Sequence, residues 1–155
     1  MKAVIVYDSA YGNTKAIAEA VASGLGSANA RTVPAAQFRR GDVSAGDLLV
    51  VGSPINGWRP TPKTMQALTD VGTQGLSGIL AAAFDTRVKL FIHGDAAKKI
   101  SHQLKKAGAT LVSKPMPFYV GGTEGPLLAG ETERARTWGG ELLTLMKTKA
   151  TKRSA

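Results

Sequence analysis

The first candidate ligand site is a loop of small and hydroxyl-bearing residues at positions 8–14, which reads DSAYGNT. A helical pattern follows it, and the N–H groups and dipole of a helix start favour an anion such as a phosphate. Ser9, Asn13 and Thr14 would add side-chain donors, and Lys15 comes next. The same residues fit an ordinary turn with Thr14 as its N-cap, so both interpretations remain open on this loop alone.

The second candidate is the loop GSPINGWRP at positions 52–60, which joins an apolar run to a helix start. A flat aromatic ligand would stack on Trp58, gaining about 0.5–1.5 kcal/mol beyond the burial of its area. Backbone groups of Ile55, Asn56 and Gly57 would reach heteroatoms of such a ring. The alternative is a loop whose tryptophan packs on the protein surface.

The third candidate is the segment FDTR at positions 84–87, which follows another apolar run. Asp85 and Arg87 either pair with each other or bind the polar edge of a ligand. Two common nucleotide motifs, GxxxxGK[ST] and GxGxxG, do not occur, which argues against ATP, GTP and standard dinucleotides. His93 and His102 have no suitable acidic neighbours, so no metal site is expected.

Rigid elements must position these loops, and the apolar pattern predicts five strands and four helices. Short β-branched runs are typical of strands buried on both faces of a parallel sheet. The predicted strands are 2–7, 30–33, 47–52, 79–84 and a fifth at 110–113 and 118–120, interrupted by prolines that indicate an edge. The predicted helices are 14–25, Thr61 to Gly72, 96–107 behind an Asp95 cap, and 131–147. This alternation predicts an α/β fold with helices on both faces of the sheet.

Length and composition fit one globular domain, with 155 residues of which 43% are hydrophobic. We expect the domain to span 1–148 and a basic, disordered tail to occupy 149–155. The last helix is expected to bury Ala135, Trp138, Leu142 and Leu145. The start of the chain has no signal-peptide layout and no apolar run is long enough to cross a membrane, which predicts a soluble cytoplasmic protein.

The chain is basic, because 20 Lys and Arg against 11 Asp and Glu give a net charge of +9. Such a charge suits nucleic acid, an anionic membrane surface, an acidic protein or a polyanionic substrate. The cations are scattered, which also fits an ordinary solvated surface. The sequence has no cysteine, which excludes disulfides, thiolate catalysis and Cys-ligated metals.

Two stretches resemble the flavodoxin family. Residues 4–25 (VIVYDSAYGNTKAIAEAVASGL) resemble its FMN phosphate loop and first helix, and residues 52–68 (GSPINGWRPTPKTMQAL) resemble its loop along the flavin ring. The resemblance covers 2–147 and lacks the insertion of larger members, so it is of the short-chain type. It implies a three-layer, flavodoxin-like fold with a five-stranded parallel sheet in the order 2-1-3-4-5.

The resemblance implies FMN as the cofactor and three groups of contacts. The phosphate would lie against Ser9, Ala10, Tyr11, Gly12, Asn13 and Thr14. One side of the flavin ring would lie against Ser53, Pro54, Ile55, Asn56, Gly57 and Trp58. The other side would lie against Phe84, Asp85, Thr86 and Arg87.

Three features depart from the usual flavodoxin pattern. Tyr11 stands where most members have Thr, and in this respect the loop looks closer to the flavin domain of flavodiiron proteins. Residues 84–87 also lack the usual stacking Tyr. Flavodoxins are also generally acidic, whereas this chain is basic. A basic surface steers towards acidic partners.

The favoured function is a one-electron carrier, in which FMN supplies the chemistry and no side chain is a catalytic acid or base. Its partner would be a redox protein, and the basic surface favours an acidic one. The alternative is an FMN-dependent oxidoreductase of the NAD(P)H:quinone reductase or protoporphyrinogen-oxidase type, acting on a small quinone-like or anionic substrate. A flavin-free receiver-like module lacks the clustered acids it needs. Nucleic-acid binding is argued for by charge alone.

Overall fold

The structure is a computed structural model that describes residues 2–56, 58–89 and 94–154. The aliphatic runs form strands, and the amphipathic stretches between them form helices. The strands are β1 (Ala3–Tyr7), β2 (Ala30–Pro34), β3 (Leu48–Asn56), β4 (Arg59–Pro60), β5 (Leu80–Val88), β6 (Thr110–Leu111) and β7 (Met116–Val120). The helices are α1 (Asn13–Leu25), α2 (Pro62–Gln74), α3 (Ala96–Lys106) and α4 (Glu131–Ser154). Two short 3₁₀ turns, Ala35–Gln37 and Arg40–Asp42, lie between β2 and β3.

The sheet has the order β2-β1-β3-β5-β6, and β7 pairs with the end of β5 that β6 leaves uncovered. All of these pairs are parallel, whereas β4 pairs antiparallel with the last residues of β3. The predicted order 2-1-3-4-5 is confirmed, with β6 and β7 together forming the fifth, edge strand. The carboxyl ends of β1, β3, β5 and β7 therefore meet along one edge of the sheet.

Strand alternation divides the core into two layers. On β1, Val4 and Val6 face the α2–α3 side, whereas Ala3 and Ile5 face the α1–α4 side. The same alternation continues along β3 and β5, so every central strand is apolar on both faces. This explains why these strands appear in the sequence as continuous aliphatic runs rather than alternating ones.

The central strands β3 and β5 are longer than the aliphatic runs predict. Each continues four residues beyond its run, and the polar extensions pair with each other, with Ser53 opposite Asp85 and Pro54 opposite Thr86. Backbone pairing therefore continues beyond the last aliphatic residues, because the extensions still have a neighbouring strand with which to form hydrogen bonds. These extensions carry the residues of the second and third loops to the same edge.

Helix α2 also exceeds its prediction. Thr61 caps its start by accepting from Thr64 N, as expected, but the helix passes Gly72 and ends before Gly75, which has φ +81°. Gly72 lies inside the helix, and nothing lies within 4 Å of where its Cβ would be, so no close contact requires a glycine there. Gly75 is the residue whose left-handed backbone ends the helix.

Helix α4 departs from its predicted end. It continues to Ser154, whereas a disordered tail was expected from residue 149. No Gly or Pro follows Gly140 to stop it. Trp138 lies in the core as expected, and its Nε1 donates to Ser113 Oγ at 3.1 Å. Leu145 is only partly buried, whereas Met146 is buried and is the last such residue in the part of this helix whose burial is described. None of the helices in the described ranges is long and apolar enough to cross a membrane.

Helices α1 and α4 touch through glycines. A Cβ on Gly24 would lie 2.0 Å from Arg136 O, and one on Gly139 would lie 2.3 Å from Val21 O. The two backbones therefore approach too closely for any side chain at either position. This contact fixes the separation of α4 from the last turns of α1.

Gly139→Ala is expected to lower the free energy of unfolding by about 1–3 kcal/mol, because overpacking must separate the two helices. The matched control is Gly140→Ala, where the added Cβ meets only Gly24 O at 4.0 Å. That variant is expected to be neutral or more stable by up to about 1 kcal/mol, since Ala is the better helix former. Urea denaturation measures both, and equal effects would contradict the close contact.

Candidate functional site

A cleft of about 440 Å³ opens at the carboxyl edge of the sheet. This is the place where ligands bind in open α/β sheets, at the point where strand order reverses. Its lining residues are Ser9, Ala10, Tyr11, Asn13, Thr14, Pro54, Ile55, Thr61, Thr86, Arg87, Val88, Val120 and Thr123. All three sequence-predicted loops contribute to it.

The bend before α1 is built from its own hydrogen bonds. Ser9 N donates to Asp8 Oδ1 and Gly12 N donates to Ser9 Oγ, both at 3.0 Å. Gly12 has φ +88°, which glycine adopts without strain, and open space lies beyond its Cα. Gly12 is the N-cap, so the alternative reading of Thr14 as the cap is wrong: Thr14 lies inside the helix.

Helix α1 begins with no side-chain cap and no acidic residue in its first turn. Its leading N–H groups are therefore free to bind an external acceptor, and the dipole favours an anionic one. Asn13 extends its Nδ2 to Glu124 O at 3.2 Å, so this side chain holds the opposite loop to the bend.

A buried pair of hydroxyls lies beside this helix start. Thr14 Oγ1 and Thr86 Oγ1 are 2.8 Å apart, and the two residues are only 1% and 5% exposed. Whichever hydroxyl donates, the other O–H has no acceptor among the described residues. A buried donor without an acceptor is costly, which fits a site completed by a ligand oxygen.

These features fit a phosphomonoester. The uncapped N–H groups, the spare hydroxyl of the threonine pair and the open space at Gly12 form a donor-rich cradle without a carboxylate lining it. Hydrogen bonds to a charged group contribute about 1.5–3 kcal/mol each. The cradle needs no Lys or Arg to hold a phosphate.

The end of β3 forms the second wall. Pro54 and Ile55 line the cleft. Ser53 is fully buried instead: its Oγ accepts from Thr61 N at 3.0 Å and donates to Pro54 O at 2.8 Å, so it shapes the wall from behind. Asn56 pairs through its backbone with Arg59 in the β3–β4 hairpin. Gly57 lies outside the described residues, as does His93.

Trp58 lies at the rim rather than in the lining. Its side chain is 55% exposed and its φ is +72°, a conformation that is unfavourable for a bulky residue. Helix α3 holds it there, because Lys99 Nζ donates to Trp58 O at 2.9 Å. Gly94 packs so closely that a Cβ on it would lie 2.0 Å from the same oxygen.

Residues 84–87 separate by strand alternation into two groups. Phe84 and Thr86 face α1, whereas Asp85 and Arg87 face α3. Thr86 and Arg87 line the cleft. Phe84 does not reach it: the ring is fully buried, with Phe118 at 5.9 Å and Trp138 at 6.2 Å between ring centroids. Its expected place beside a ligand is therefore corrected to the core.

Asp85 and Arg87 pair with each other, which was the first of the two expected alternatives. Arg87 Nε donates to Asp85 Oδ1 at 2.8 Å, and its guanidinium also reaches Asp95 at 3.0 Å. Burial raises the pKa of Asp85, against the lowering effect of Arg87 and of the bond from Ala97 N. Partial burial lowers the pKa of Arg87, but its carboxylate partners outweigh this and raise it, so the cleft keeps a fixed cation.

Four lining residues were not among the sequence-predicted contacts: Thr61, Val88, Val120 and Thr123. Thr61 was recognised only as a helix cap. Val88 is the last residue of β5, beyond its aliphatic run, and Val120 is the last residue of β7. Thr123 lies in the loop after β7. The proximity of β5 and β7 could have pointed to Val120, because parallel neighbours end at the same edge.

The loop after β7 is fixed at both ends. Gly121 N donates to Pro126 O at 2.8 Å and Leu128 N donates to Tyr119 O at 3.0 Å. Glu131 then accepts from Tyr119 N at 2.7 Å and from Arg134 at 2.8 Å. Although burial raises the pKa of the Glu131 carboxyl, these hydrogen bonds outweigh it and hold the pKa below its usual range.

Glu131→Gln is expected to lower the free energy of unfolding by about 1–3 kcal/mol at pH 7, since charged hydrogen bonds are lost. A lowered native pKa means that the stabilisation is present above pH 4.5 and is lost as the pH falls through the native pKa. The deficit should therefore shrink in acid. Urea denaturation between pH 7 and 3 measures it, with exposed Glu141→Gln on the same helix as control. A deficit that stays constant with pH would contradict the assignment.

A doubly wound parallel sheet with a donor-rich cleft at the point where strand order reverses is the architecture of mononucleotide-binding α/β proteins. The Flavodoxin family model matches residues 5–138. The chain therefore belongs to the flavodoxin family, the FMN-binding flavoproteins of electron transfer, and FMN is its cofactor.

Similar proteins include both free-standing flavodoxins and larger flavoproteins. A protein of Thermosynechococcus vestitus described as a diflavin flavoprotein is 32% identical over 117 residues, covering 71% of this chain. The chain spans only 20% of that relative's length. An archaeal flavodoxin structure superposes with a TM-score of 0.80 at 22% identity, covering 95% of this chain and 99% of its own.

A third comparison is rubredoxin:oxygen oxidoreductase from Desulfovibrio gigas. It superposes with a TM-score of 0.79 at 17% identity, over 96% of this chain and 37% of its own. The fold thus occurs alone and as part of longer chains.

Proposed function

We propose that this chain is a one-electron carrier that holds FMN in the cleft at the carboxyl edge of its sheet. The observation that carries the proposal is the chemistry of the lining. Among the cleft-lining residues that the structure describes, only Tyr11 and Arg87 have titratable side chains. Arg87 stays charged beside its carboxylate partners, and the described lining has no carboxylate, histidine or lysine side chain that would act as a general acid or base.

The phosphate of FMN would be held by the first turn of α1 and the bend before it. The N–H groups of Asn13 and Thr14 would bind its oxygens, and the spare O–H of the Thr14–Thr86 pair would complete the set. This chain thereby supplies donors, while a positively charged side chain is not required. Ser9 Oγ, which already accepts from Gly12 N, still has its own hydrogen to donate.

The flavin ring would lie between the wall formed by Pro54 and Ile55 and the strand ends at Val88 and Val120. These apolar walls exclude water and orient the ring. FMN itself supplies the redox chemistry when bound. Trp58 and Tyr11, each more than half exposed, would border the solvent-facing edge at which electrons enter and leave.

Thr14→Val is expected to weaken FMN binding about 10–100-fold, because one charged hydrogen bond contributes about 1.5–3 kcal/mol. Riboflavin, which lacks the phosphate, should lose little. Quenching of flavin fluorescence measures both dissociation constants. Thr144→Val, an exposed helical threonine on α4, is the matched control and should change neither. Equal losses for FMN and riboflavin would contradict the phosphate assignment.

The carrier role is tested by reducing the FMN-loaded protein. Stepwise reduction with dithionite is expected to give two separated one-electron potentials, and NADPH alone should reduce the protein slowly. Rapid reduction by NAD(P)H with multiple turnovers of a quinone would instead support the alternative, an FMN-dependent oxidoreductase. The absorbance of the flavin follows both reactions.

A further inference from the structure

The lysines at the starts of three helices are unfavourably placed. Lys15, Lys63 and Lys98 lie in the first turns of α1, α2 and α3, and none of these turns contains an acidic residue. A helix dipole favours acids at its start and cations at its end. All three helices begin at the carboxyl edge of the sheet, so the positive charges of the lysines and the positive ends of the helix dipoles lie together there.

The start of α3 shows the contrast within one helix. Lys105 and Lys106 lie in its last turn, where the dipole favours them. Lys98 and Lys99 lie at its start, where it does not. The acid at that position, Asp95, is already engaged, because its carboxylate accepts from Lys98 N and pairs with Arg87. The positive charge at this end is therefore not neutralised locally.

Four exposed cations lie on the elements next to Trp58. Arg59 follows it in β4, Lys63 lies in the first turn of α2, and Lys99 Nζ donates to the Trp58 carbonyl. Helix α3 packs against both β4 and α2. Arg59, Lys63, Lys98 and Lys99 are exposed, and none of them forms an ion pair within the described ranges. We call this patch, Trp58 with these four cations, the Trp58 rim.

We propose that the Trp58 rim is the docking surface for an acidic one-electron redox protein. The proposal rests on the proposed function, since the rim adjoins the cleft assigned to FMN. A surface that combines an exposed aromatic residue with nearby charged residues has the composition of a protein interface, whose centre is aromatic and whose border is polar. Complementary charge raises the association rate and fixes orientation. In the complex one electron moves, so that the donor loses it and the bound FMN gains it.

The test uses the FMN-loaded full chain and a reduced plant-type ferredoxin as the acidic donor. Stopped-flow mixing gives the second-order rate constant of electron transfer at several salt concentrations. For the unaltered chain, the rate constant is expected to fall at least tenfold as salt screens the rim. The double variant Lys63→Glu/Lys98→Glu should be slowed about tenfold or more at low salt and lose most of the salt dependence.

The matched control is Lys105→Glu/Lys106→Glu, which makes the same change of charge at the opposite end of α3. It should change the rate constant by less than about threefold, because the rim is unaltered. The rim variant places acids where the helix dipoles favour them, so loss of folding is not the expected cause of its slower reaction. A urea denaturation curve of each variant checks this.

Other outcomes overturn the proposal. Equal slowing by both double variants would show an effect of net charge alone. Faster reaction with a basic cytochrome c than with ferredoxin would reverse the assigned charge of the partner. Loss of duplex DNA binding in the rim variant, with unchanged ferredoxin rates, would assign the patch to nucleic acid.

The experiments distinguish a failure of the docking proposal from a failure of the carrier proposal. FMN binding and reduction by dithionite are measured first. If FMN does not bind, both proposals fall. If FMN binds and is reduced by dithionite while the ferredoxin rates ignore salt and the rim substitutions, only the docking surface is overturned.

Discussion

The hydrogen bond between the Thr14 and Thr86 hydroxyls is the contact on which the site depends. It joins the first turn of α1 to the end of β5 across the α1–α4 face, with both residues buried. This hydrogen bond forms because β5 continues beyond its aliphatic run and because the alternation of side chains along the strand points Thr86 towards α1. Where the two meet, one O–H has no acceptor among the residues that the structure describes, so a donor is left for a ligand.

Asp85 performs the equivalent task on the other face. It is fully buried, bonds Arg87 and accepts from Ala97 N in the first turn of α3. One carboxylate thus orients both the cleft arginine and the helix that holds Trp58. Replacing such a pair with apolar residues is often neutral for stability, so its value here lies in geometry. The two threonines and this ion pair anchor opposite layers to one strand end.

Aliphatic runs and helix caps are local signals, and they predicted the strands, the four helices and the three loops, whereas the strand order was implied by the resemblance to flavodoxins. The sequence did not predict which way single side chains point where the runs end. Phe84 was expected beside the ligand, yet alternation from the aliphatic residues before it places the ring in the core. The extra residues of β3 and β5 are held by pairing between the two strands, and no hydrophobic pattern in the sequence marks them. The extension of α4 follows from the absence of a stop signal, which has no hydrophobic pattern either.

Phosphate binding also redistributes the charge of the carboxyl edge. A phosphomonoester in the proposed cradle would neutralise the start of α1, whereas the starts of α2 and α3 belong to other parts of the carboxyl edge. Each cation there opposes a dipole, at a cost of about 0.3–1 kcal/mol where exposed. Several such cations at one edge lower the stability of a protein that is only marginally stable. Selection for stability alone would therefore not retain them. The cofactor would therefore confine the positive field to one side of the cleft, the side on which Trp58 is exposed.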